Sequence, residues 1–264
     1  MKITALVENN SSCELKAKHG LSLYIETDQH KILFDLGPDK TLFDNAAKRG
    51  IDLTKVDTVV ISHGHLDHGG ALGRFLQINS TAKVYVQKQA FLPHSTKVLG
   101  IRFNCGIKAE FMNHPQVVLL EGDHRIDDQL MLFTVKDKSR CWSTMNNTLY
   151  EGKQQDTFTH EQHLVIQEQN TALIMGCGHS GVVNIMAEAA QYHPVLCVGG
   201  YHLMNPNSGK TVPDALMDQI AAALNSYPDT RFYTCHCTGQ AAYEYLSARV
   251  PNLSYLSCGQ SVEC

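Results

Sequence analysis

Nine consecutive residues, Ser62-His63-Gly64-His65-Leu66-Asp67-His68-Gly69-Gly70, hold three histidines and an aspartate. Imidazole nitrogens and carboxylate oxygens are the donors of choice for Zn, Fe and Mn. If the backbone stays extended through His65, the two-residue alternation of a strand points His63 and His65 the same way, able to share one metal. Asp67 and His68 then fall past a bend and can face a second ion. Gly64, Gly69 and Gly70 are expected to keep the turn free of side chains that would crowd the ions. A solvated histidine-rich loop is the plain alternative. It needs four specified residues to meet by chance directly behind a strand, and this counts against it. Two ions about 3.5–4 Å apart need further ligands from elsewhere in the chain.

Three later segments offer them. Gly176-Cys177-Gly178-His179-Ser180-Gly181 follows an apolar run and supplies His179, with Cys177 either a group beside the ions or a small buried apolar residue. Cys235-His236-Cys237-Thr238-Gly239 supplies His236; the two flanking cysteines make no zinc-ribbon spacing and are read as packing. Gly199-Gly200-Tyr201-His202 supplies His202, read as facing substrate rather than metal. His19, His30, His94, His114, His124, His160, His163 and His193 lack this glycine-rich context and are read as ordinary, with His160 and His163 the nearest to exceptions.

Such ligands must be carried by strands whose ends meet. Lys2–Glu8, Leu21–Glu26, Lys31–Asp35 and Thr58–Ser62 are short runs rich in Ile, Val and Leu, the last apolar enough to be a central strand covered on both faces. Leu42–Arg49 is helical in composition and stopped by Gly50. Lys83–Gln87, Gln116–Glu121 and Leu130–Val135 read as strands inside a middle third without clear periodicity. The pattern then turns regular: strands at Leu164–Gln167, Thr171–Met175, Val195–Val198, Arg231–Thr234 and Leu253–Leu256, and helices over Val182–Tyr192, Pro213–Asn225 and Ala241–Arg249. In the second helix Leu216, Met217, Ile220 and Leu224 form one apolar stripe. Antiparallel strands early and βα units late imply a two-sheet core with helices outside.

The 264 residues suit one large α/β domain, with no repeat, low-complexity tract or Gly/Pro/Ser-rich linker to divide it. A net charge of -4 provides no field to gather nucleic acid. The first apolar stretch stops at Val7, short of a signal-peptide core, and no long apolar run follows, so a cytoplasmic protein acting away from membranes is expected. The nine cysteines then read as reduced, mostly buried thiols.

Phe34-Asp35-Leu36-Gly37 together with the 62–70 motif and the later strand-end histidines resembles the metallo-β-lactamase superfamily. Gly20–Glu26, Asn45–Leu53, Gly176–Ile185, Gly199–Leu203 and His236–Gly239 are similar to the 7,8-dihydropterin-6-methyl-4-(β-D-ribofuranosyl)-aminobenzene-5'-phosphate synthase-like proteins within it. Gly178 and Tyr201 stand where Ser and Phe are expected. The resemblance implies an αββα four-layer sandwich over residues 1–264, with a variable segment at about 85–165 that shapes the substrate pocket. It implies two divalent metal ions, Zn with Mn or Fe as alternatives, held by His63, His65, Asp67, His68, His179 and His236. The superfamily's usual separate histidine is not obvious, so His160 and His163 stay as alternatives to His179. Asp67 is the catalytic carboxylate, orienting a metal-activated hydroxide, and Asp35 sits behind a ligand histidine and fixes its tautomer. The expected activity is a metal-dependent hydrolase of a small phosphorylated or anionic molecule. The alternatives are a pterin-related transferase releasing diphosphate, or a binding module without turnover.

Overall fold

The computed structural model describes residues 1–264. In chain order its elements are β1 (Lys2–Val7), β2 (Ser22–Glu26), β3 (Lys31–Phe34), α1 (Thr41–Lys48), β4 (Thr58–Val60), α2 (Leu66–Gly69), α3 (Leu72–Ile78), β5 (Lys83–Gln87), β6 (His94–Val98), β7 (Ile101–Asn104), β8 (Val117–Leu120), β9 (His124–Arg125) and β10 (Leu130–Phe133). There follow β11 (Leu149–Glu151), β12 (Gln154–Gln155), β13 (His163–Gln167), β14 (Thr171–Ile174), α4 (Val182–Ala189), β15 (Leu196–Gly199), α5 (Asp214–Leu224), β16 (Arg231–Thr234), α6 (Gln240–Ser247), β17 (Leu253–Tyr255) and β18 (Ser261–Glu263). No helix is long and apolar enough to cross a membrane.

Two seven-stranded sheets, in the orders β18-β1-β2-β3-β4-β5-β8 and β17-β16-β15-β14-β13-β10-β9, stack face to face. Each is antiparallel on one flank and parallel on the other; β3 to β4 to β5 to β8 and β14 to β15 to β16 to β17 are the parallel runs. Alternation along the strands explains the layers. On β13, Leu164 and Ile166 enter the core between the sheets with Ile25, Phe34 and Val198, while Val165 faces the opposite way. The outer face of the second sheet is covered by α4, α5 and α6, which contribute Ile185, Met217, Ile220, Leu224 and Leu246. The outer face of the first is covered by α1 and α3 through Leu42, Ala46, Leu72 and Phe75. The result is the four-layer αββα sandwich. The apolar stripe of α5 is buried except for Leu216, which is half-buried.

A third, four-stranded sheet in the order β12-β11-β6-β7 rises from the middle of the chain. Its strands carry few buried side chains, and Leu99, Ile101 and Phe103 stand exposed on the β6–β7 hairpin. That is why hydrophobic alternation does not reveal it.

Candidate metal centre

Chain reversals at the carboxyl ends of parallel strands put the chemistry on one edge of the sandwich. The backbone there is strained: Asp35, His202 and His236 have positive φ of 61°, 49° and 51°, costs that persist only where surrounding contacts over-determine them. Asp35, behind the end of β3, accepts from the Ser62 N–H at 2.7 Å, the Ser62 hydroxyl at 2.7 Å and His68 Nδ1 at 2.6 Å. With its proton spent on Asp35, the Ser62 oxygen accepts from His63 Nδ1 at 2.8 Å. His63 and His68 are thereby both locked with Nε2 forward. Gly176 is required because a side chain there would run into Ser62 and Asp35.

Two groups of donor atoms result. His63 Nε2 and His65 Nδ1 lie 3.0 Å apart, and His179 joins them within 4.8 Å, its Nε2 buried without a partner. In the second group His68 Nε2 is 3.2 Å from His236 Nε2, while Asp67 Oδ2 is 3.3 Å from His236 and 3.8 Å from His68. Cys177 Sγ is 3.2 Å from His68 Nε2. Donors around a tetrahedral ion with bonds of 2.0–2.1 Å stand about 3.3 Å apart, so both groups suit a divalent cation. In the second group two imidazole nitrogens and a carboxylate oxygen converge, a set that either a proton on His68 or a bound cation satisfies.

The protonation states differ between the groups. Burial, reinforced by mutual repulsion among the rings, drives His63 and His179 well below the ordinary histidine range, and burial drives His65 down as well. Burial also opposes charge on His68, but Asp35 and Asp67 overcome it and hold that ring at about 9. Asp67 is kept well below the usual carboxylate range: burial favours its neutral form, and His68, His19 and His236 outweigh that. Burial pushes the Cys177 thiol well up.

A cavity of about 970 Å³ opens over both groups, walled by the β6–β7 hairpin on one side and the 204–208 loop on the other, with Lys18 and Lys97 among its lining. His202 lines it with both ring nitrogens buried and unpartnered, its ring centroid 4.1 Å from that of His179.

The seven histidines and carboxylates proposed from the 62–70 motif, His179, His202 and His236 thus assemble on one edge, with Asp35 and Cys177 against them. Four readings need correction. His163 points away from the site, packs on Phe133 and finds no hydrogen-bond partner for either nitrogen, because strand alternation sends it to the helical side of the sheet. His160 spends both nitrogens on other work, accepting the Gly64 N–H at 3.0 Å and meeting Asp156 at 3.1 Å. His94 is not ordinary: it meets the same Asp156 oxygen at 3.1 Å and the Gln89 carbonyl at 3.2 Å, bracing the wall beneath His65. His19 is likewise part of the site, with Nε2 3.3 Å from Asp67. Gly64 is needed less for room around an ion than because Ala90 and the His94 ring press on its back. The sequence also left unmarked Glu8, Asn9, Asn146 and Glu161, which hold His236 and His179 from behind. Only the polar pair directly after β1 offered a signal.

The αββα sandwich thus carries its histidine and aspartate donors along one strand-end edge. The metallo-beta-lactamase superfamily model matches residues 16–132. The protein MJ0448 of Methanocaldococcus jannaschii is 26% identical over 98% of this chain and 99% of its own. The 7,8-dihydropterin-6-methyl-4-(beta-D-ribofuranosyl)-aminobenzene-5'-phosphate synthase of the same organism is 22% identical over 84% of this chain and 82% of its own. The crystal structure of Tm1679, a metal-dependent hydrolase of the beta-lactamase superfamily, superposes with a TM-score of 0.83 at 24% identity, over 100% of this chain and 99% of that one. The metallo-beta-lactamase match thus covers residues 16–132, and over its full length the chain shares the fold of the Tm1679 structure.

Proposed function

We propose that the chain is a hydrolase that takes up two divalent ions, zinc with manganese or iron as alternatives, and cleaves a small phosphorylated or anionic molecule. The observation that carries this reading is the convergence of His68 Nε2, His236 Nε2 and Asp67 Oδ2, three atoms able to ligate a metal within 3.2–3.8 Å of one another, beside the His63/His65/His179 group. When bound, the ions lower the pKa of water toward neutrality and polarise a phosphoryl or acyl oxygen. The side chains do the rest. Asp67 would be a ligand whose carboxylate also accepts a hydrogen bond from the attacking water and so orients it, and His19, 47% exposed and 3.3 Å from that carboxylate, connects it to solvent. His202 donates from the cavity wall to an anionic substrate oxygen. Lys97 in the cavity lining favours negatively charged substrates, while Lys18 is paired with Asp39 at 3.2 Å.

Metal analysis and a panel of phosphodiester, phosphomonoester, thioester and lactam substrates on one preparation test the reading. Two equivalents of metal are expected, with phosphoester turnover. His65→Ala is expected to lose metal and roughly three orders of magnitude in rate, the upper scale for a single group stabilising transition-state charge. Full activity after metal stripping sinks it. The likeness to the dihydropterin synthase supports a second reading, in which the same site assists departure of diphosphate. Incubation with a dihydropterin diphosphate and an aminobenzene riboside phosphate then releases diphosphate; no release with any of the three metals counts against it.

A further inference from the structure

His179 and His236 sit on irregular backbone, one in a glycine-rich turn and the other at φ 51°, yet both are held by the same three contacts. Asn146 Nδ2 donates to the His179 carbonyl at 2.9 Å and its Oδ1 meets His179 Nδ1 at 2.9 Å. Asn9 Nδ2 donates to the His236 carbonyl at 3.2 Å and its Oδ1 meets His236 Nδ1 at 2.9 Å. A buried glutamate then takes each histidine's own N–H: Glu161 at 2.7 Å for His179, and Glu8 at 2.7 Å for His236.

The chemistry of one carboxamide forces the rest. A main-chain carbonyl only accepts, so the NH2 end must face it. The oxygen end, which also only accepts, is left at Nδ1. Nδ1 must therefore carry the ring proton, and Nε2 must carry the lone pair. We infer that Asn9 and Asn146 are paired positioning residues, each holding one of these histidines in its Nδ1–H form so that Nε2 is offered to a metal. Asparagine suits the task because a planar amide presents a donor and an acceptor together. A carboxylate would face the carbonyl with a second acceptor. The two clamps arise from unrelated stretches of chain, the end of β1 and the 144–148 turn, so each is a separate instance of the device.

The inference rests on the reading of His179 and His236 as metal donors, and its test separates the two. Long-range 1H–15N NMR on metal-free protein reports the ring tautomers directly; Nδ1–H is expected at both. Zn2+ affinity is measured by chelator competition on wild type and on Asn9→Leu, Asn146→Leu, Asn9→Asp and Asn146→Asp. The leucine variants are expected to weaken one equivalent about 10–100-fold, the usual scale for losing a partner behind a ligand histidine. The aspartate variants keep the acceptor and are expected to keep the tautomer. The Asn146→Leu loss should vanish in a His179→Ala background and persist in His236→Ala, with the reverse for Asn9→Leu; a merely structural role would not separate in this way. Nε2–H rings in wild type, or leucine variants holding both equivalents at wild-type affinity, overturn the inference. If a leucine variant fails to fold, the wild-type tautomers and the aspartate variants decide it. Wild type binding no zinc removes the metal reading while leaving the tautomer result to stand or fall alone.

Discussion

The His63/His65/His179 group and the Asp67/His68/His236 group are separated by little more than one ring, His63 and His68 having centroids 4.2 Å apart, yet they are built on opposite electrostatic principles. The first is three imidazoles kept neutral by burial. The second has a carboxylate in its midst and a second carboxylate, Asp35, behind His68, so its ring draws a proton when no metal is present. Neutral nitrogen donors select zinc-like ions by ligand type, while a charged mixed set attracts any divalent cation more strongly and is less selective. Identical residue types thus acquire different properties from what stands one hydrogen bond further out.

The comparison can be broken most severely at Asp67. Asp67→Asn makes the second group neutral like the first, and it is expected to lose one zinc equivalent and about 10²–10³-fold in rate. Equal loss from both equivalents, read by metal analysis, would show that the groups do not act separately. A subtler distinction lies in protons. At pH 7.5 His68, held at about 9, is protonated and must release its proton to bind metal, whereas His63, His65 and His179 have none to give. Calorimetry in buffers of different ionisation enthalpy should find about one proton released with one equivalent and none with the other. Equal release from both abolishes the contrast.

The smallest effect sharpens the comparison from outside. His163 is buried and neutral with no metal to serve it, and burial lowers its pKa to about 4. The folded value lies below the unfolded one near 6.5, so its neutral form costs nothing above that pH. Stability is lost as pH falls from about 6.5 to 4, by on the order of 3 kcal/mol, and the loss levels off below. His163→Leu should flatten that part of the acid-denaturation profile and leave zinc content unchanged. An unchanged profile would mean that the ring is not held neutral.

Local pattern carried far where ligands are neighbours in the chain. The 62–70 motif needs only a strand, a bend and one helical turn to aim its side chains, and those follow from residues a few positions apart. The stripe on α5 and the apolar runs of β1 to β5 were legible for the same reason. The β6–β7 hairpin was not, since exposed strands lack the alternation that burial imposes. Nor were His19 and His94. Each looked ordinary because the carboxylates that give them work, Asp67 and Asp156, are brought to them only by folding.

The amino-acid sequence by itself determined that this chain folds as layered sheets and helices with a histidine- and aspartate-rich turn at a strand end, because periodicity and ligand spacing act over a handful of residues. Only the tertiary structure decided which histidines belong to the edge, which nitrogen each presents, and which ring is charged. Those properties depend on hydrogen bonds reaching about 3 Å between residues as distant in the chain as Asn9 and His236, and on burial, which no local pattern encodes.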